Sequence, residues 1–106
     1  MTDYGIALTT AGSQEEAERI ARALVERRLA ACVNIVPQIK SIYRWQEKIE
    51  TAQEWLLVIK TTRAAFERVE LAIRELHSYD LPECICLAID DGSKEYLEWI
   101  ASSVRI

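Results

Sequence analysis

Two long runs of strand-forming residues, separated by one polar break, constrain the fold of this chain most. Residues 31–45 are rich in β-branched and aromatic side chains, residues 49–61 form a second extended run, and Gln46-Glu47-Lys48 lies between them. The apolar centre of the second run, residues 55–59, lacks alternation and predicts a strand buried on both faces. Pro37 predicts a bulge or an edge position, because proline cannot donate a ladder hydrogen bond. The two runs together predict a long β-hairpin.

Two amphipathic helices flank this hairpin. The first begins at Ser13, whose spacing to Glu16 is that of a capping box, and its apolar stripe continues to Val25. Thr62 is the predicted cap of the second helix. The inward side of that helix is predicted to carry Phe66, Val69, Ile73 and Leu76.

Shorter strands complete the pattern. They are predicted at residues 4–10 and 84–89, and a short C-terminal helix is predicted after residues 91–93. The resulting order of strand, helix, strand, strand, helix, strand is typical of the α+β ferredoxin-like arrangement. We expect an antiparallel sheet with the first and third strands in the middle, and both main helices on one face.

Length, charge and composition narrow the class of protein. The 106 residues fit a single domain, 1–106. Thirteen basic residues against 17 acidic ones, interspersed along the chain, give a net charge of -4 and predict no nucleic-acid partner. The acidic N-terminus and the lack of a membrane-length apolar run predict a cytoplasmic protein without membrane association. No nucleophile motif or glycine-rich phosphate loop is present, so we expect no enzymatic activity.

The length of the predicted hairpin favours an oligomer. Fifteen extended residues span about 50 Å, whereas a compact domain of this size has a diameter of about 35 Å. Bare apolar edges invite pairing, so a neighbouring copy is expected to cover the overhang. The alternative is that Pro37 folds the strand back over its own core. The overhanging part carries Ile42, Tyr43, Trp45 and Ile49.

Several ordered blocks resemble the CutA divalent-cation tolerance proteins. The resemblance runs from Ile6 to Ile100, and it implies a ferredoxin-like homotrimer in the cytoplasm that is connected with tolerance to copper and other divalent ions. The family usually has glycine where Glu47 stands in the hairpin turn and proline where Ser78 stands. The blocks that carry the resemblance are Leu29-Ala30-Ala31-Cys32-Val33-Asn34-Ile35-Val36-Pro37, Ser41-Ile42-Tyr43-Arg44-Trp45, Lys60-Thr61-Thr62, His77-Ser78-Tyr79, Pro82-Glu83 and Tyr96-Leu97-Glu98-Trp99-Ile100.

The resemblance also implies where copper would bind. Copper-binding members have a cysteine late in the first strand and two consecutive histidines before a Pro-Tyr step, and Thr9, Leu76 and His77 occupy those positions here. His77 alone is retained, and a single imidazole is a weak copper site, so we expect weak Cu(II) binding at most. The alternative role for His77 is to hydrogen-bond at the end of the second helix.

The cysteines suggest a second metal hypothesis. Cys84 and Cys86 are two apart on a strand and so share a face, a geometry suited to holding Cu(I) between two thiolates. The alternative is that both are small buried hydrophobes. Because Ile85, Leu87 and Ile89 are expected to face the helices, the thiols are expected to face a second protomer. Cys32 lies on the opposite edge strand, about 14 Å away.

A polar pocket is the last candidate site. Lys60, Glu83, Tyr79 and Trp45 are expected to meet where the hairpin of one protomer contacts the body of another, as a salt bridge with aromatic packing. Cys32 and Tyr43 are predicted to belong to the same interface or cleft. Three functions stay open: a non-enzymatic trimer in divalent metal tolerance, a PII-like trimer that senses a small anionic metabolite in intersubunit clefts, and a structural scaffold.

Overall fold

The computed structural model describes residues 3–105 and has seven elements in the predicted order. The strands form one antiparallel sheet in the order β2-β3-β1-β4, which confirms the ferredoxin-like prediction with β1 and β3 in the middle. None of the described helices is long and apolar enough to cross a membrane. The elements are β1 (Tyr4–Ala11), α1 (Gln14–Glu26), β2 (Cys32–Trp45), β3 (Lys48–Thr62), α2 (Phe66–Leu76), β4 (Ile85–Ala88) and α3 (Lys94–Ser103).

The core lies between α1, α2 and one face of the sheet. α1 begins as predicted, because the Glu16 amide donates to Ser13 Oγ over 3.1 Å. The prediction that Thr62 caps α2 is wrong, because α2 begins only at Phe66 and Ala65 is its N-cap. The Thr62 hydroxyl instead accepts from the Ala65 amide (3.2 Å) in the turn before the helix. The fully buried core side chains include Ile20, Leu24, Leu57, Ile59, Val69 and Ile73.

The hairpin of β2 and β3 extends well beyond the rest of the sheet. β3 pairs with β1 only over residues 55–62, whereas its pairing with β2 continues to the turn. Residues 39–54, which we call the arm, therefore have no other strand beside them in the described structure. The molecule measures 44 Å along its longest axis against 25 and 22 Å across.

The two irregular points of the hairpin lie where the sequence places them. At Pro37 the register shifts by a bulge, with Gln38 at φ 57°, and pairing then resumes at Ile39. The alternative in which the strand folds back over its own core is therefore wrong. At the tip, Gln46 and Glu47 have φ of 49° and 71°, the left-handed conformation of a two-residue hairpin turn.

The expected orientation of β4 is wrong. Cys86 pairs with the buried Ala7, so it faces the helices, and Cys84 packs against the core on the same side. Ile85 and Leu87 instead point to the opposite face, where they are 49% and 51% exposed. Large aliphatic residues did not identify the core side, because both faces of this sheet are apolar.

We call that opposite side of the sheet the open face. Strand alternation places Ile6 and Leu8 of β1, Val36 of β2, Leu56 and Val58 of β3, and Ile85 and Leu87 of β4 on it. α3 begins over one end of the open face, since the Tyr96 ring centroid lies 5.9 Å from Lys60 Nζ.

Candidate functional site

A groove of about 630 Å³ lies between the arm and the segment that follows α2. This volume is in the usual range for small-molecule sites. Besides two hydroxyl and two aliphatic side chains, three aromatic and three acidic residues line the groove: Tyr43, Trp45, Tyr79, Glu54, Asp80 and Glu83. The groove thus brings together four of the six residues predicted for the cleft, and it adds Glu54 and Asp80, which the sequence did not single out.

Glu54 lies at the floor of the groove. Its side chain is nearly inaccessible, with the residue 7% exposed, and its Oε2 accepts a hydrogen bond from the Tyr79 hydroxyl over 2.8 Å. Burial and this interaction with Glu54 raise the pKa of Tyr79, so the hydroxyl remains a donor at neutral pH. Burial, followed by the charge of Glu54, also raises the pKa of Glu83. The groove is therefore a region of negative potential.

Lys60 and Cys32 lie elsewhere. They pair with each other across β2 and β3, six residues along β3 from Glu54, which is about 20 Å. Lys60 contacts the Tyr96 ring, and Cys32 Sγ lies 3.9 Å from Asn34 Oδ1. The predicted pocket of Lys60, Glu83, Tyr79 and Trp45 is therefore not assembled within one protomer.

His77 ends α2 as predicted, but its ring is buried and fully engaged. Nε2 lies 2.6 Å from the Thr10 carbonyl oxygen, and Nδ1 accepts the Tyr79 amide over 3.1 Å. This pattern corresponds to the neutral tautomer with its proton on Nε2. Because both nitrogens already have partners and the side chain has 0% exposure, a metal ion could bind His77 only after these hydrogen bonds break.

Glu16 secures the same segment from α1. Its Oε2 accepts the Ser78 amide over 2.8 Å and lies 3.6 Å from Arg19 Nη2 and 4.0 Å from His77 Nδ1. Burial acts to raise the pKa of Glu16, but the hydrogen bonds from Ser78 outweigh it and lower that pKa. The capping-box spacing explained Glu16 as a local residue, so nothing in the sequence indicated this long-range role.

The thiols do not form a prepared copper site. Burial raises the pKa of Cys84 to about 11, with a smaller contribution from the charge of Glu70, so the thiolate that copper needs is disfavoured. Cys86 Sγ lies over Gly5, where an added Cβ would approach it to 2.8 Å. Cys32 projects to the other face of the sheet. Within residues 3–105, no group of three or more His, Cys, Asp or Glu side chains is arranged to hold a metal ion.

Thr9, at the position where the family pattern has cysteine, offers no metal ligand either. It is completely buried, and its hydroxyl has no hydrogen-bond partner among the described residues. A hydroxyl is a poor copper ligand beside thiolate or imidazole. The residues present therefore do not fit a preformed copper site in one protomer.

Comparison with known proteins agrees with this architecture. The family described as CutA1 divalent ion tolerance protein matches residues 5–103. The divalent-cation tolerance protein CutA of Thermus thermophilus is 50% identical over 95 residues, which cover 90% of this chain and 92% of that protein.

Solved structures give the same result. The structure of the divalent cation tolerance protein Cut A1 from Thermus thermophilus superposes with a TM-score of 0.95 at 47% identity, covering 96% of this chain and 99% of the other. The structure of the periplasmic divalent cation tolerance protein CutA from Archaeoglobus fulgidus superposes with a TM-score of 0.93 at 44% identity, covering 96% of this chain and 99% of the other. The chain described above therefore belongs to the CutA1 divalent ion tolerance family.

Proposed function

We propose that this chain acts in divalent-cation tolerance as a non-enzymatic homotrimer. The observation that carries the proposal is the amount of apolar surface that one protomer leaves uncovered. Ile42 and Ile49 on the arm are 68% and 63% exposed, and Ile85 and Leu87 on the open face are about half exposed. Large apolar side chains exposed to this extent usually mark a protein interface.

The arm supports self-association in particular. A two-stranded ribbon is marginally stable in water on its own, and the arm has no third strand beside it in the described structure. Each copy of the chain carries both the apolar side chains of the arm and those of the open face. Identical copies can therefore cover each other's exposed surfaces in a closed symmetric oligomer. The number of three copies comes from the family resemblance.

Copper is the ion for which we propose binding, and we propose that it is weak. One protomer has no assembled ligand set, and the two best ligands are engaged or protonated: His77 by hydrogen bonds, and Cys84 by its raised pKa. Tolerance would then depend mainly on the partners of the assembled protein, and less on sequestration of the ion. The anion-sensing alternative receives no support from the groove, because its charged lining residues are all carboxylates.

We propose a cytoplasmic location. Cys32, Cys84 and Cys86 are free thiols in the structure, and free thiols persist in a reducing compartment. The Archaeoglobus fulgidus relative is described as periplasmic. Cell fractionation with thiol labelling tests this proposal, and recovery in an oxidising compartment would overturn it.

The tolerance role is tested by metal titration and by genetics together. Anaerobic Cu(I) and aerobic Cu(II) competition titrations compare the wild type with His77→Ala and with a Cys84→Ser, Cys86→Ser double variant. In cells that lack the gene, the wild type and any variant that still assembles should restore growth in copper. Tight binding by the wild type that both sets of substitutions abolish would show that the chain sequesters the ion itself.

A further inference from the structure

We propose that Cys84 and Cys86 form a dithiol site for trivalent arsenic, either as arsenite or as an organic arsenical. This inference goes beyond the tolerance role and does not depend on it. It rests on the placement of the two thiols on one side of the sheet, on their spacing and on their partly buried surroundings.

The first argument is the placement of the thiols on the helix side of the sheet. Cys86 pairs with the buried Ala7, and Cys84 packs against the core. Ile85 between them points to the open face. Both thiols are free and only partly buried, so a small reagent can reach them. The assembly proposed above covers the arm and the open face, which lies on the opposite side, and it therefore leaves this site accessible.

The second argument is the spacing of the thiols, which favours one bridging atom over a disulfide. Residues two apart on an extended strand have Cα atoms about 6.6 Å apart, near the upper end of the range in which a disulfide closes. An arsenic atom bonded to both sulfurs spans a longer gap than a direct sulfur–sulfur bond. Burial, followed by the charges of Glu70 and Cys86, raises the pKa of Cys84, so the two sulfurs lie near each other.

The third argument is that arsenic binds thiols without needing a charged sulfur. The pKa of Cys84 is about 11, so its thiol is protonated at neutral pH, and coordination of Cu(I) would first have to remove that proton. With phenylarsine oxide, the arsenic–oxygen bond breaks, two arsenic–sulfur bonds form, and both thiol protons leave with the oxygen as water. Arsenic stays trivalent, so no oxidant or reductant takes part. The product is neutral, which a partly buried site favours.

Other ligand classes fit the two thiols less well. Hard divalent ions take oxygen ligands, and within residues 3–105 no group of three or more His, Cys, Asp or Glu side chains is arranged to hold an ion. The third cysteine, Cys32, lies on β2, which is the opposite edge strand from β4 and is about 14 Å away. The pair is therefore a two-sulfur site, which suits an arsenic atom that keeps one other substituent.

Native mass spectrometry of the reduced, naturally assembled protein tests the proposal with phenylarsine oxide as the probe. We expect one phenylarsenic group for each chain, with lower alkylation of Cys84 and Cys86 by iodoacetamide and unchanged alkylation of Cys32. Excess 2,3-dimercaptopropanol should remove the group, whereas 2-mercaptoethanol at equal thiol concentration should not, because a one-sulfur competitor displaces a two-sulfur chelate poorly. Absence of an adduct, or an adduct that protects Cys32 instead, would overturn the proposal.

Variants locate the binding site. Cys84→Ser and Cys86→Ser should each weaken binding by at least about a hundredfold, because the second sulfur then no longer binds intramolecularly. Cys32→Ser is the matched control and should have no effect. Circular dichroism of each variant establishes folding, and the alkylation pattern of the wild type decides the site if a variant does not fold. Full binding by Cys84→Ser or Cys86→Ser, or equal losses in all three variants, would contradict the proposal.

The pH dependence of binding separates this chemistry from thiolate coordination. The condensation releases water and no net proton, so the affinity for phenylarsine oxide should change by less than about threefold between pH 6 and pH 8. Coordination through thiolates would release protons and strengthen with pH. An affinity that rises about tenfold for each pH unit would therefore contradict the proposed neutral product.

Discussion

The two halves of the β2–β3 hairpin have the same backbone pairing but different surroundings. In the body, the side chains of Leu57 and Ile59 on β3 pack in the core beneath α1 and α2 and are completely buried. In the arm, Ile42 and Ile49 are more than 60% exposed, although they are equally apolar. The body is a core that one chain completes by itself, whereas the arm presents side chains that only another surface can bury.

Replacing isoleucine by alanine at two positions of β3, one in the body and one in the arm, tests this difference most directly. Ile59→Ala should lower the free energy of unfolding by about 2–5 kcal/mol, because it leaves a cavity in a core that one protomer forms. The matched Ile49→Ala change in the arm should act through association, so its effect on the melting temperature should vary with protein concentration. Thermal unfolding over a range of concentrations separates the two; equal, concentration-independent losses would contradict the distinction.

Trp45→Ala tests how much one residue of the arm contributes to association. Tryptophan is a frequent energetic anchor at interfaces, so its truncation should weaken assembly by about 2 kcal/mol or more. Trp45 is 42% exposed in one protomer, which leaves area for a partner to bury. Analytical ultracentrifugation measures the change, and unaltered association and thermal stability would place Trp45 outside the interface.

Low pH should lower the free energy of unfolding through Glu16 of α1, whose carboxylate accepts a hydrogen bond from the segment after α2. Because the folded-state pKa of Glu16 is lowered, its contribution is complete above its ordinary pKa of 4.5 and is lost as the pH falls through the lower folded value. Glu16→Gln should remove this part of the pH dependence and cost about 1.5 kcal/mol at neutral pH. Chemical denaturation from pH 7 to pH 3 checks both effects. Identical pH profiles for the two proteins would exclude Glu16 as the titrating group.

The smallest expected effect is at the tip of the arm. Glu47 has φ 71°, a conformation that costs a residue with a side chain about 1 kcal/mol relative to glycine. Glu47→Gly should therefore raise the free energy of unfolding by up to about 1 kcal/mol, with Glu50→Gly on β3 as a destabilising control. Denaturant titration measures the change, and a loss of stability would show that Glu47 makes a contact that offsets its strained backbone.

The same contrast explains which features the sequence could predict. The hairpin, the bulge at Pro37 and the inward residues of α2 follow from local patterns, and each is present in the structure. The orientation of β4 did not follow, because Cys84 to Leu87 is apolar on both sides and only the pairing of Ala7 with Cys86 decides which side faces the helices.

The candidate site was predictable only in part. Tyr43, Trp45, Tyr79 and Glu83 stand in blocks that resemble the family, and the structure brings them into one groove. Glu54 and Glu16 act through partners 25 and 62 residues away in sequence, a separation at which no local pattern carries information. Lys60 lies at the other end of the sheet within one protomer, so the pocket that joins it with Glu83, Tyr79 and Trp45 across two protomers stays a prediction.

We propose that copies of this chain bury the arm and the open face of one another. Sedimentation equilibrium over a wide concentration range measures the mass directly. We expect three times the chain mass of 12.1 kDa, with dissociation to smaller species only on dilution or in Trp45→Ala. A mass of 12.1 kDa at every concentration would contradict it, because the arm would then be stable in water without a partner.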